Sequence, residues 1–280
     1  MLTTDAVRIN RNTPIRVAIA GAGAIGSRVA QEIASVHRSL QVVAIADADT
    51  ERLTALIGRI PSIQARELHE LPAIADVVVE CASASAFDAV ADATANAGRT
   101  LVTMSSGALL TRPDLIERAA RGEFRLYVPS GAILGLDVVR AMSLEGIQFC
   151  TIRSRKPPRA LNGAPYVIDM GIELDGLAEP LLVFRGNARD AAKGFPANVN
   201  VAATLSLAGI GPERTLCEVW ADPTVQGNQH TIEIQTETTC VSMTIQSNAT
   251  VSNARTSSIA AFSVIDTLLR IQSGGLHIGG

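Results

Sequence analysis

Residues 15–26 read IRVAIAGAGAIG. Ile15 to Ala20 is a near-continuous apolar run, the pattern of a strand buried on both faces. Gly21, Gly23 and Gly26 follow at G-x-G-x-x-G spacing, and a helical pattern runs from Ile25 to Val36. The glycine spacing alone is a weak signal. Between a buried strand and a helix it specifies a particular turn. The first glycine makes the tight bend, the second lets backbone approach a pyrophosphate, and the third lets helix and strand pack closely. The N–H groups of the helix start, around Ala24 and Ile25, together with the helix dipole, favour an anion.

The first half repeats this alternation. LQVVAIADAD is a second buried strand, and TERLTALIG a helix with Thr50 as its expected N-cap. ADVVVECAS, RTLVTMS and FRLYVPSGAI are further strands. Helical AFDAVADATANAG and RPDLIERAARG lie between them, stopped by Gly98 and Gly122. Such alternation means βαβ units and a parallel sheet. The reading is a Rossmann-type dinucleotide-binding domain over residues 1–131. Asp47 closes the second strand near the ~20-residue interval of the ribose-binding carboxylate. A carboxylate there accepts from a ribose 2′-OH and repels a 2′-phosphate, so NAD is expected and NADP is less favoured. Ser83 follows a parallel strand, where ligands bind in open α/β sheets; a helix N-cap is the other reading.

After Ala132 the texture changes. IQFCTIRSRKPP is a strand ending in a basic loop, EPLLVFRGN a strand, and ARDAAKG a short helix. A turn at Phe195-Pro196 leads to a longer helix ending at Gly209, and RTLCEVWADP, HTIEIQT and CVSMTIQS are strands. The apolar phase is even at Ile232 and Ile234 but odd at Val241, Met243 and Ile245. A period-2 strand cannot change parity without a turn or bulge, which is placed near Thr236–Thr239. Residues 132–254 are read as a second α/β domain, a mixed or mostly antiparallel sheet with helices. A final helix, 255–273, is expected to return to the first domain.

Length and composition set limits. The chain of 280 residues is 47% hydrophobic, enough for packed cores. A net charge of −3 and 3% aromatic content argue against a nucleic-acid or anionic-membrane surface. No apolar run reaches the ~18 residues of a membrane span. The opening MLTTDAVRINRNT is polar and reads as a poorly ordered tail rather than a signal peptide. Cys81, Cys150, Cys217 and Cys240 have neither C-x-x-C spacing nor a histidine at metal-ligand spacing. No metal site is expected, and the compartment is read as reducing and cytoplasmic.

His230 shares strand parity with Ile232 and Ile234, so it points to an apolar face, just after a Pro/Gly/Asn turn. A satisfied core histidine is one reading; a proton-exchanging group at a strand mouth is the other. His37, His69 and His277 read as surface residues. The only two lysines are Lys156 and Lys193. Lys193 sits on a helix that reads as exposed. Arg153, Arg155 and Lys156 concentrate positive charge at a strand end, as a solvated loop or as ligands for substrate carboxylates. Asn198 and Asn200 open an apolar helix, where either could cap it.

GAGAIG, VVVECAS, SSGAL, VPSGAILGLD, RSRKPP, FPANVNVAATLSLAG, ADPTVQGNQH and SNARTSS occur in this order. Together they resemble the L-aspartate dehydrogenase family over roughly residues 15 to 270. The resemblance implies NAD contacts at Ala132 and Asn198 and an active-site histidine at His230. It also implies a second domain that builds oligomers, a homodimer or homotetramer, and a link to NAD biosynthesis in some members. The chain departs from the family at Arg255, where a lysine is usual, and at TETT, where a glycine is usual. These departures bear on substrate detail more than on reaction class.

The reading is an enzyme converting L-aspartate, NAD⁺ and water to oxaloacetate, ammonia and NADH through iminosuccinate, or the reverse. The alternatives are a two-domain reductase for another amino or oxo acid, and a non-catalytic NAD(H)-binding protein. The expected partners are small molecules and copies of the chain itself, with no nucleic acid and no membrane. Expected site residues are His230 for catalysis; Gly21, Gly23, Ala24, Ile25, Gly26, Asp47, Ser83, Ala132 and Asn198 for cofactor; and Arg155 and Lys156 for substrate.

Overall fold

A computed structural model describes residues 13–196, 198–247 and 258–272. The expected N-terminal tail, Arg255 in its SNARTS segment, and His277 lie outside the described residues. The described chain forms two compact units. Residues 13–103, 118–129 and 261–272 make the first, and 104–117, 130–247 and 258–260 the second.

The first unit carries β1 (Ile15–Ala20), β2 (Leu40–Ala46), β3 (Gln64–Ala65), β4 (Val77–Glu80), β5 (Thr100–Thr103) and β6 (Arg125–Tyr127). They form one parallel sheet in the order β3-β2-β1-β4-β5-β6. Val17 to Ala20 and Val77 to Val79 are almost fully buried, as both faces of a parallel sheet require. The strand order reverses between β1 and β4, so their carboxyl ends open the crevice where such sheets bind ligands. Helices Ala24–Val36, Thr50–Arg59 and Ala84–Asn96 follow β1, β2 and β4. Asp49, not Thr50, caps the second of these: its carboxylate accepts from Arg52 N at 3.1 Å. Residues 261–272 of the last helix, Ser258–Gln272, belong to this unit, with the Arg28 guanidinium 5.3 Å from the Phe262 ring centre.

The second unit carries β7 (Phe149–Lys156), β8 (Leu181–Asn187), β9 (Leu216–Ala221), β10 (Asn228–Gln235) and β11 (Cys240–Ser247). Their order is β11-β10-β7-β9-β8. β7 and β9 run parallel and every other neighbouring pair is antiparallel, so the sheet is mixed. Cys150, Ile152, Cys217, Val219, Ile232 and Ile234 line its buried face. The parity change resolves as a tight turn in which Thr236 N donates to Thr239 O at 2.9 Å. The helix Leu136–Glu145, not foreseen from sequence, starts after Gly135 at φ +69°. The segment 104–117 precedes residue 131 yet packs in this unit: Gly107 N donates to Asn200 Oδ1 at 3.0 Å, and Thr204 Oγ1 to Ser106 Oγ at 2.9 Å. No helix among the described residues is long and apolar enough to cross a membrane.

Candidate active site

The glycine loop has the geometry its sequence implies. Gly21 adopts φ +105°, a left-handed conformation that a side chain rarely takes. A Cβ there would also meet Cys81 O at 2.5 Å. At Gly26 a Cβ would lie 1.9 Å from Gly21 O, so helix and strand meet at glycine distance. At Gly23 a Cβ would meet nothing within 4 Å among the described residues. Gly23 is therefore free for the close approach of something outside the chain. The helix that begins at Ala24, with Ile25 in its first turn, has no side-chain cap and no acid in that turn. Its leading N–H groups stay suited to an anion.

Asp47 stands beside this loop. Its two carboxylate oxygens accept from Ala22 N and, at 2.7 Å, from Asp49 N. The acid thus ties the end of β2 to the glycine turn. Ser83 occupies the N-cap position of its helix without capping it; its hydroxyl pairs with Ser85 Oγ at 2.8 Å. Sequence reasoning missed Glu80, which is fully buried at the end of β4. It accepts from Ala82 N at 3.0 Å and from Thr103 Oγ1 at 2.5 Å, fixing the turn that faces Gly21. It was legible only as an acid inside a buried strand.

In the second unit, strand alternation sorts the candidates by face. His230 pairs with Ser154 of β7 and with Ile245 of β11. It is 2% exposed, and its Nδ1 shares a 2.9 Å hydrogen bond with Ser154 Oγ. Two residues along each strand, Lys156 Nζ donates to Asn228 Oδ1 at 3.2 Å. Lys156 is 4% exposed. Burial pushes its pKa down to about 8, with no carboxylate among the described residues offsetting that cost. Burial, then the neighbouring Lys156 charge, pushes His230 down to about 3. The imidazole is therefore neutral at neutral pH. With Nδ1 bound to Ser154, Nε2 is the nitrogen left to act.

Arg155 does not join this group. Its odd parity turns it to the opposite face, where it pairs with Asp222 at 3.1 Å and lies 5.7 Å from the Trp220 ring centre. Arg153 is likewise held by Glu218 at 2.8 Å. The basic loop read as one cluster is thus divided by the pleat: two arginines with acidic partners, one lysine with an amide. Ser154 escaped the sequence reading because its role depends on the β7–β10 register, which a single strand does not disclose.

Ala132 follows Gly131, whose φ is +62°, in a turn closed by Ile133 N donating to Ser130 O at 3.0 Å. Asn198 is part-buried and donates through Nδ2 to Ala160 O at 3.4 Å. The helix itself begins at Asn200. Lys193 pairs with Asp190 on the exposed face of the helix Ala188–Gly194, whose other face buries Ala188, Ala191 and Ala192. Among the described residues, no group of three or more His, Cys, Asp or Glu is placed to hold a metal ion.

Comparison with known proteins follows this division of the chain. Residues 21–129 match the NAD-binding domain family of homoserine dehydrogenase, and residues 137–271 the C-terminal family of aspartate dehydrogenase. An L-aspartate dehydrogenase of Bordetella bronchiseptica is 43% identical over 94% of this chain and 97% of its own length. One from Bradyrhizobium diazoefficiens is 42% identical over 96% and 95%. The crystal structure of aspartate dehydrogenase from Thermotoga maritima shares the fold, with a TM-score of 0.73 at 24% identity, covering 94% of this chain and 99% of that one. With such identity sustained over nearly the full length of its relatives, the chain belongs to the L-aspartate dehydrogenase family.

Proposed function

We propose that the chain is an NAD-dependent L-aspartate dehydrogenase, interconverting L-aspartate and oxaloacetate with release or uptake of ammonia. The observation that carries this reading is the polar group of buried Ser154, Lys156 and His230 with half-buried Asn228, in a chain that also holds a complete glycine loop.

The first unit fits a dinucleotide. Gly21 and Gly26 close the turn, Gly23 leaves room for a pyrophosphate, and Ala24 and Ile25 present helix N–H groups to it. Asp47 accepts from the ribose 2′-OH, which favours NAD over NADP. Ser83, Ala132 and Asn198 are further cofactor contacts. A bound NAD would supply the hydride acceptor for the substrate Cα.

The second unit manages the substrate and its protons. Lys156, without an acidic partner among the described residues, holds a substrate carboxylate, and Asn228 orients the substrate's neutral amino group, the form from which hydride can leave. His230, fixed through Nδ1 by Ser154, takes at Nε2 the proton of the water that attacks the iminium carbon. It returns a proton as ammonia departs. Two further readings complete the proposal. The enzyme is a homo-oligomer, supported by exposed Leu134, Val138, Phe149 and Leu182. It works in the cytoplasm, supported by cysteines that stay unpaired.

The test is NADH formation from a panel of amino acids with each cofactor. L-aspartate with NAD is expected to give the highest kcat/KM. A clear preference for a neutral amino acid would overturn the substrate, and a preference for NADP would overturn the role of Asp47.

A further inference from the structure

His230 poses a chemical problem. It is buried, it shares its face with the apolar Ile232 and Ile245, and its neighbour Lys156 is a cation. The strands packed against it bring Ser154 and Lys156 from β7 and Ile245 from β11; Asn228 is on its own strand. Of these groups only Lys156 is charged. A second positive charge on the imidazole would then meet both a dry environment and a nearby ammonium. A base in that setting accepts a proton reluctantly.

Lys156 has the complementary problem. Its strand neighbours Arg153 and Arg155 each have a carboxylate, Glu218 and Asp222, on the other face. Among the described residues, Lys156 has an amide oxygen as its side-chain partner and no carboxylate. A buried cation without a counter-charge is costly, and an anion that supplies one is bound strongly.

We propose that the substrate's distal carboxylate, by pairing with Lys156, converts His230 from a silent neutral side chain into the proton acceptor of the reaction. The inference rests on the aspartate reading above and deepens it. The carboxylate cancels the field of Lys156 at the imidazole and places a negative charge within reach of it. Both changes favour the imidazolium. The base is thereby armed only when a dicarboxylate substrate is seated. An amino acid without the distal carboxylate leaves Lys156 uncompensated and His230 unable to take the proton from water. Specificity is then expressed in kcat as well as in KM, because the missing charge is needed in the transition state. Lys156 acts here as a substrate-binding residue that tunes a second residue.

The test is histidine NMR on the full chain with ¹³C-labelled imidazoles, His230→Gln assigning the resonance. Succinate serves as the probe, since it has both carboxylates and no amine to oxidise. Without succinate, His230 is expected to stay neutral well below the ordinary histidine range. With saturating succinate its protonation midpoint is expected to rise by about one to three pH units. In Lys156→Met the midpoint without succinate is expected above that of the wild type, and succinate no longer moves it. Succinate binding, followed by calorimetry, that leaves the midpoint in place would overturn the coupling. Failure of succinate to bind would overturn the pairing with Lys156. The wild-type titration decides the matter even if the variant does not fold. Since the resonance is read without turnover, absence of L-aspartate oxidation would sink the proposed activity separately.

Discussion

Ser154 and His230 occupy directly paired positions on β7 and β10, and their side chains meet at 2.9 Å on the buried face. The hydroxyl holds the imidazole's orientation through Nδ1. Ser154→Ala removes that partner and leaves a buried ring nitrogen unsatisfied, costing about 1–3 kcal/mol. The expected result is a lower thermal midpoint together with a fall in kcat that exceeds any rise in KM. Ser154→Thr, which keeps the hydroxyl, should recover part of both. Unchanged kinetics in Ser154→Ala would show that the ring is held by its packing alone.

His230→Ala separates chemistry from folding. A positioned acid–base group contributes about 10²–10⁴-fold in rate, and kcat is expected to fall within that range. NAD affinity is expected to hold, because the glycine loop and Asp47 belong to the first unit. Near-normal turnover in a folded variant would make His230 a structural residue of the strand.

The glycines divide into two tests. Gly26→Ala places a Cβ 1.9 Å from Gly21 O, so backbone must move. Overpacking of that kind costs about 1–3 kcal/mol or more, and the thermal midpoint should drop. Gly23→Ala adds a Cβ that meets nothing within 4 Å, so the fold should be untouched. If the space above Gly23 receives the pyrophosphate, NAD affinity should nevertheless fall about tenfold or more, equivalent to ~1.4 kcal/mol. Calorimetric titration showing wild-type NAD affinity in Gly23→Ala would move the dinucleotide elsewhere.

Much of the fold is legible because its signals are local. A buried apolar run, three glycines and a helical period fix β1, its turn and the helix Ala24–Val36 within a few residues. The parity change between Ile234 and Val241 forces the turn at Thr236–Thr239. The helix Leu136–Glu145 has no such signature, since Val138 and Leu144 are exposed and blur its period. The site is legible where a residue type announces itself, as His230 does. It is illegible where function depends on pairing between distant strands. Arg155 and Lys156 are adjacent in sequence and equally basic, yet the pleat sends them to opposite faces. Ser154 looks like a loop hydroxyl until β7 is set beside β10.

At Lys156 stability and activity are expected to move in opposite directions. Its pKa is about 8 in the folded chain against an ordinary 10.5, and burial is the cause. Below pH 8 both folded and unfolded chains hold the proton, so the cost of burying the charge is fully present at neutral pH. Between about 8 and 10.5 the unfolded chain keeps a proton that the folded chain has released. Stability therefore rises with pH across that window, by an amount on the order of 3 kcal/mol. Lys156→Met removes the buried charge and keeps an apolar stem of similar reach. It also loses the hydrogen bond to Asn228, worth ~1 kcal/mol. At pH 7 the variant is expected to be more stable than the wild type by about 1–2 kcal/mol. The advantage should shrink towards pH 9.5, as the wild type relieves the same cost by losing its proton. Urea midpoints of both proteins at the two pH values measure this directly, and NADH formation from L-aspartate should be severely reduced in the same variant. A Lys156→Met protein less stable than the wild type at pH 7 would mean that the ammonium already has a counter-charge in the folded chain. The distal carboxylate of the substrate would then have no vacancy at Lys156 to fill.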